Sequence, residues 1–284
     1  MFKSLLLKTA AGINLTQSEL FAPVPETRKK EQSSAKSSAQ PPTTIGVIGA
    51  KGGVGATTLS INLAVALSQN HGMTKLIDAN LQQPDAAILL GQTLHCSIGD
   101  LVERHENVDK SLLDACFSPL THAPECSLIG PLNDGSSALT IDLGQIADCL
   151  RSIKYFSAFW LLDLPHNLDK HLVELMDKCD RLILVLEPTI AAIASANRWL
   201  KVFAELGYPQ NKVICVLNRS GSKVSAVENE LRNFNQFANA LRVPNSYAFL
   251  ERCSNEGQPA IVKNPRDPYS TGITQLAKFL AGDN

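Results

Sequence analysis

The sequence predicts an α/β fold of the doubly wound type, in which helices cover both faces of a mainly parallel sheet. Continuous apolar runs, such as RLILVL at 181–186, alternate along the chain with amphipathic runs of helical length. Strands that are buried on both faces are typically continuous apolar runs, and helices alternating with them favour a parallel sheet. A glycine-rich turn after the first apolar run leads directly into a helical pattern, which is the strand-to-helix connection of this fold class.

The glycine-rich turn, residues 50–58, reads AKGGVGATT and suits a polyphosphate. Glycines let backbone N–H groups approach a ligand, and the N-terminus of the following helix adds partial positive charge. Thr57 stands where the general pattern G-x-x-x-x-G-K-[ST] places a Mg²⁺-binding hydroxyl, whereas Ala50 and Ala56 replace its first glycine and its lysine. The residues predicted to contact a nucleotide here are Lys51, Gly52, Gly53, Val54, Gly55, Ala56, Thr57 and Thr58. A glycine turn that binds nothing is the alternative interpretation.

Composition narrows the classes of function. The chain has 284 residues, is 44% hydrophobic and carries a net charge of −1, which gives no general electrostatic reason to bind DNA or an anionic membrane. Seven cysteines without a C-x-x-C pair favour free thiols in the cytoplasm. The six histidines lack zinc-binding spacings, and we interpret His166 and His171 as solvent-exposed side chains.

The first 43 residues differ in composition from the rest of the chain. Residues 22–43 are rich in Pro, Ser, Gln and Lys, which predicts a disordered tether. Residues 1–21 hold a short apolar run with lysines, which indicates either an amphipathic docking segment or a frayed terminus. Six lysines and arginines against three glutamates give this tail a charge of +3, which leaves −4 for residues 44–284. We expect those remaining residues to form one nucleotide-binding domain.

Two carboxylates stand at the ends of predicted strands. Asp78 ends the run TKLID, and Asp163 ends WLLD. The carboxyl ends of strands are where α/β sheets place their ligands. Asp163 is predicted to hold Mg²⁺ through a water or to orient a nucleophile. For Asp78, the alternative is a simple strand-end cap.

The second half of the chain adds two candidate contacts to a base. Asn218 and Arg219 end the run KVICVLNR, at the edge where a nucleotide would lie. An amide offers a donor and an acceptor to the edge of adenine, although Asn218 is also a common turn residue. The last strand is predicted around residues 247–250, before a final helix near residues 271–280.

Six motifs, taken together and in order, resemble one family. The motifs are KGGVGATT, DANLQQPDAAILLG, LLDLPH, LEPTIAAI, VLNR and NEGQPAI, spread over residues 44–280. They resemble the MinD/ParA family with its deviant Walker A loop, and within it the TadZ/CpaE branch of pilus assembly proteins. The resemblance implies a P-loop NTPase fold and a sandwich homodimer gated by ATP and Mg²⁺. It also implies that Lys51 reaches the partner's nucleotide and that Asp78 acts near the terminal phosphate.

The resemblance also sets expectations for activity and location. Relatives tend to carry a second carboxylate where this chain has Asn80, and the branch typically has alanine at the position of Ala56, so we expect weak or absent ATP hydrolysis. The implied function is a cytoplasmic localisation or assembly factor for a Flp/tad-type pilus or related envelope machine. Its implied partners are proteins of the pilus and of the secretion machinery. The implied location is polar or peripheral at the inner membrane. The alternatives are a ParA-type DNA or cargo partitioning ATPase and a MinD-like regulator of cellulose secretion or flagellar placement.

Overall fold

The computed structural model of the chain describes residues 42–104, 108–132, 141–221, 237 and 240–283. In this part of the chain eight strands form one sheet. The strands are β1 (Thr43–Gly49), β2 (Thr74–Asp78), β3 (Ser118–Leu120), β4 (Ala123–Ile129), β5 (Phe159–Leu164), β6 (Arg181–Leu186), β7 (Val213–Ser220) and β8 (Leu241–Pro244). The helices described are α1 (Ala56–His71), α2 (Ala86–Leu89), α3 (Ile98–Glu103), α4 (Lys110–Cys116), α5 (Leu143–Ile153), α6 (Lys170–Asp177), α7 (Ile190–Glu205), α8 (Tyr247–Asn255), α9 (Ala260–Lys263) and α10 (Pro268–Ala281).

The strand order is β3-β4-β2-β5-β1-β6-β7-β8. Strand β1 pairs in parallel with β5 on one side and with β6 on the other, and within the described residues the β3–β4 pair is antiparallel. The chain first runs outward from β1 to β2 and later crosses to β6, so the carboxyl end of β1 lies where the strand order reverses. The doubly wound, mainly parallel α/β fold predicted from the sequence is confirmed.

Helix α1 is buried along most of its length, from Leu59 to Ser68. It packs against the sheet on one side and against α10 on another. Close packing of this kind leaves a helix no freedom to shift without opening voids. The N-terminus of α1, and with it the turn after β1, is therefore held in one position over the centre of the sheet.

The prediction of a last strand around residues 247–250 is wrong. Tyr247 begins helix α8, and the N–H groups of Phe249 and Leu250 both bond to the carbonyl of Ser246. The last strand is instead β8, which ends at Pro244. A short apolar run does not distinguish a strand from a partly buried helix by periodicity, which explains the error.

The predicted tail, residues 1–43, lies almost entirely outside the described residues, which begin at Pro42. Within the described part of the chain, none of the helices has the length and the apolar character needed to cross a bilayer.

Candidate functional site

The turn between β1 and α1 exposes the N-terminus of a long helix. Gly53 and Gly55 have φ angles of +78° and +87°, in the left-handed region that favours glycine. Gly55 is the N-cap of α1, and no side-chain oxygen caps the helix there. Uncapped N–H groups at a helix N-terminus form a ready anion-binding site. The turn has the backbone geometry that a phosphate requires.

Asn218, near the end of β7, contacts this turn from the side. Its Nδ2 donates a 2.8 Å hydrogen bond to the carbonyl of Val54. A Cβ atom built on Gly55 would lie only 2.6 Å from that Nδ2, so the contact requires glycine at this position. The Oδ1 of Asn218 is buried and has no hydrogen-bond partner among the described residues. An unpaired buried acceptor is costly, which indicates a donor from a ligand.

A cavity of about 180 Å³ opens beside Asn218. It lies between the turn after β1, the end of β7 and the start of α8. Its lining residues include Gly55, Thr58, Asn218, Arg219, Pro244, Tyr247 and Leu250. The mixture of apolar surface and amide groups suits a flat heterocycle with polar edges.

The two predicted carboxylates lie side by side on neighbouring strands. Asp78 of β2 and Asp163 of β5 are partners in the parallel register, and each is 2% exposed. Asp78 accepts hydrogen bonds from the backbone N–H groups of Asn80, at 3.1 Å, and Ala86, at 3.0 Å. The Oγ of Ser60, on α1, donates to Asp163 at 2.9 Å.

Burial acts on both carboxylates, and the charge of Asp163 acts in addition on Asp78. Burial, and then the nearby charge of Asp163, raise the pKa of Asp78. Burial also raises the pKa of Asp163, while hydrogen bonds from Thr57 and Ser60 oppose the rise. The exposed Asp85 adds further negative charge nearby. Two buried carboxylates that resist ionising together, next to the hydroxyls of Thr57 and Ser60, fit a hard divalent cation such as Mg²⁺, which would stabilise their charged forms.

Lys51 forms an ion pair within its own protomer. Its Nζ lies 3.1 Å from Oε1 of Glu187, the residue that follows β6. Arg219 Nη1 lies 2.8 Å from Oε2 of the same carboxylate. Partial burial opposes ionisation of Glu187, but the two cations outweigh it and lower the pKa of Glu187. Glu187 thus holds both predicted nucleotide contacts, Lys51 and Arg219, in the described conformation.

Four further residues lie near the turn or the two carboxylates without a predicted role: Ser60, Asp85, Glu187 and His166. Glu187 directly follows the apolar strand β6, so the strand-end rule that identified Asp78 also applies to it. His166 was interpreted as solvent-exposed, and its side chain is indeed exposed, but its ring lies beside Gly52 of the turn. His171 lies on α6, where it pairs with Glu174 at 3.3 Å.

Comparison with known proteins agrees with this geometry. Residues 45–252 match the family described as the CobQ/CobB/MinD/ParA nucleotide binding domain. The chain is 21% identical over 245 residues to an uncharacterised ATP-binding protein of Methanocaldococcus jannaschii, a match that covers 84% of this chain and 87% of that protein.

Solved structures share the fold. A ParA family ATPase from Chlorobium tepidum superposes with a TM-score of 0.75 at 24% identity, over 84% of this chain and 98% of that one. The septum site-determining protein MinD of Pyrococcus horikoshii, solved with Mg-ADP, superposes with a TM-score of 0.70 at 20% identity, over 84% and 95% of the two chains.

Proposed function

Because the chain belongs to the CobQ/CobB/MinD/ParA nucleotide-binding domain family, we propose that it binds ATP with Mg²⁺ at the turn between β1 and α1. One observation supports this proposal above the others. Asn218 keeps a buried Oδ1 without a described partner at the edge of a cavity, while its Nδ2 bonds to the phosphate-binding turn. The amino group of adenine is a donor suited to that oxygen.

Different residues of the chain would bind different parts of the nucleotide and its metal ion. The N–H groups of the turn and of the first turn of α1 bind and orient the phosphates. Thr57 and Asp163 would hold Mg²⁺, which when bound offsets phosphate charge. Asp78 lies next to Asp163 on the neighbouring strand and provides a second carboxylate at the same edge of the sheet. This arrangement accounts for the clustering of buried acids beside the turn.

The proposed role of the bound nucleotide is to gate a homodimer. In that dimer Lys51 leaves Glu187 and contacts the nucleotide bound by the partner protomer. The dimer acts as a localisation or assembly factor for a Flp/tad-type pilus or related envelope machine. The six motifs in TadZ/CpaE-like order support this role. Proteins of the pilus or of its secretion apparatus are the proposed partners.

Two other functions use the same fold. A ParA-type partitioning ATPase that binds DNA needs a basic surface, which the charge of −4 on residues 44–284 disfavours. Salt-dependent binding to random-sequence DNA would support that alternative. A MinD-like regulator of cellulose secretion or flagellar placement is distinguished by its partner, which co-purification of the tagged protein from its native cells identifies.

We further propose that residues 44–284 form the nucleotide-binding domain and that residues 1–43 form a tether for it. The protein then works in the cytoplasm, with residues 1–21 docking at a polar or peripheral inner-membrane site. The apolar, lysine-bearing composition of residues 1–21 supports this arrangement.

Substituting Gly55 tests the ATP proposal directly. Gly55→Ala should weaken ATP binding about tenfold, because its φ of +87° strains a residue with a Cβ and because that Cβ would displace Asn218. Equilibrium titration with Mg²⁺ and ATP measures the change. Gly207→Ala is the matched control, since Gly207 has a φ of +72° and nothing within 4 Å of a built Cβ. Unchanged ATP affinity in Gly55→Ala would contradict the proposed site.

Substituting Lys51 tests the dimer. Mg²⁺ and ATP should shift the wild-type protein from monomer to dimer in light scattering, and Lys51→Ala should weaken this association about tenfold or more. The reason is that an ammonium is a compact charge suited to a phosphate, and a symmetric dimer loses two such contacts. Lys278→Ala, an exposed lysine on α10, is the control. A dimer indifferent to nucleotide would overturn the gating role.

A further inference from the structure

The proposed nucleotide site has two chemically different sides. The cavity beside Asn218 lies at the ends of β7 and β8, whereas Asp78 and Asp163 stand on β2 and β5. In the sheet, β1 and β6 lie between these two pairs of strands. A nucleotide with its base in the cavity therefore extends its phosphates across the turn after β1, toward the ends of β5 and β2.

Positive groups are unevenly distributed over these two sides. Lys51 and Arg219 are both held by Glu187, on the β6 side of the turn. Residue 56 contributes no cation, because it is alanine. The side toward β5 holds His166 instead. A Cβ atom built on Gly52 would lie 3.6 Å from both Cε1 and Nε2 of its ring.

His166 is presented to the turn by the segment that leaves β5. Asp163 lies three residues earlier, and Pro165 helps to end the strand because it lacks the N–H that a sheet requires. The side chain of His166 is exposed. Across the described residues, no hydrogen bond or ion pair engages its ring nitrogens. The ring is thus next to the turn and free to bind a ligand.

We propose that His166 donates a hydrogen bond to the terminal phosphate of bound ATP and so makes the site prefer ATP over ADP. This inference rests on the proposed function, because it requires ATP in the turn. An imidazole has at least one N–H donor in either protonation state. Hydrogen bonds to charged acceptors are about twice as strong as neutral ones. His166 would supply this donor on the side toward β5, and residue 56, an alanine, supplies no amine to the turn.

Separate equilibrium titrations with ATP and with ADP, each with Mg²⁺, test the inference. His166→Ala should weaken ATP binding about tenfold, as expected for the loss of a hydrogen bond to a charged group, and change ADP binding by less than about twofold. His166→Gln retains an N–H donor and should recover part of the preference for ATP. His171→Ala is the matched control, because His171 pairs with Glu174 on α6, and it should change neither affinity.

The possible outcomes are distinct. Selective loss of ATP affinity in His166→Ala supports the inference. Unchanged affinity for both nucleotides overturns it. An equal loss of affinity for both also overturns it, because it would show that His166 supports the conformation of the turn and does not contact the terminal phosphate. If the wild-type protein binds neither nucleotide, the proposed function is overturned and the inference with it. Wild-type binding of ADP and ATP with equal affinity overturns the inference but leaves the proposed function standing.

Discussion

Purified protein should bind ATP but release phosphate far more slowly than once per second. Phosphoryl transfer is catalysed almost entirely by positioning and by charges directed at the terminal phosphate. Ala56 stands where the general phosphate-loop pattern has a lysine, and Asn80 stands where the resemblance implies a second carboxylate. Loss of one such group costs about a hundredfold in rate, and two losses on one step need not add.

Restoring the charge should restore part of the rate. Ala56→Lys should raise phosphate release by about tenfold to a hundredfold, because an ammonium on the first turn of α1 can reach the phosphates. Ala56→Met is the matched control, since it adds similar length without charge and should leave the rate unchanged. A phosphate-release assay beside an ATP titration separates turnover from binding. A wild-type turnover near one per second, or equal gains in the lysine and methionine variants, would contradict this explanation.

Asp163→Asn should stabilise the protein at pH 8 in the absence of nucleotide and Mg²⁺, by on the order of a few kcal/mol. Burial raises the pKa of Asp163 above its ordinary value of 3.8, so the folded state binds its proton more tightly than the unfolded state does. The free energy of unfolding therefore falls as the pH rises from about 4 through the raised pKa. Each pKa unit corresponds to about 1.4 kcal/mol. The asparagine variant removes this cost and also relieves repulsion on Asp78.

Urea unfolding at about pH 5 and pH 8 measures the effect. The advantage of Asp163→Asn should be larger at pH 8, because both carboxylates are then most strongly driven to ionise. The hydroxyl of Ser60 can turn to accept from the new amide, so the hydrogen bond to α1 is kept. Asp148→Asn is the control, because Asp148 is exposed and pairs with the exposed Arg151. It should change the free energy of unfolding by less than about 0.5 kcal/mol at both pH values. A lower free energy of unfolding for Asp163→Asn than for the wild type at pH 8 would show that the two buried carboxylates do not destabilise the folded protein.

Residues next to strand ends were predictable from the sequence. Asp78, Asp163 and Asn218 each lie at or near the carboxyl end of a buried strand, and parallel strands in a doubly wound sheet present such ends at one edge. The glycine-rich turn was predictable for a similar reason, because its geometry depends on glycine at fixed neighbouring positions. The prediction of a last strand at residues 247–250 failed, because an apolar run of four residues fits a helix as well as a strand.

The sequence by itself therefore determined the fold class, the glycine-rich turn between β1 and α1 and the strand-end carboxylates, because these depend on local patterns. Only the tertiary structure decided which of these residues touch. Asn218 meets Val54 across 164 residues of chain, and Glu187 holds both Lys51 and Arg219. These contacts depend on the order β5-β1-β6-β7, which periodicity does not reveal. The same strand order brings His166 beside Gly52 of the glycine-rich turn, whereas the sequence alone predicted only a solvent-exposed histidine.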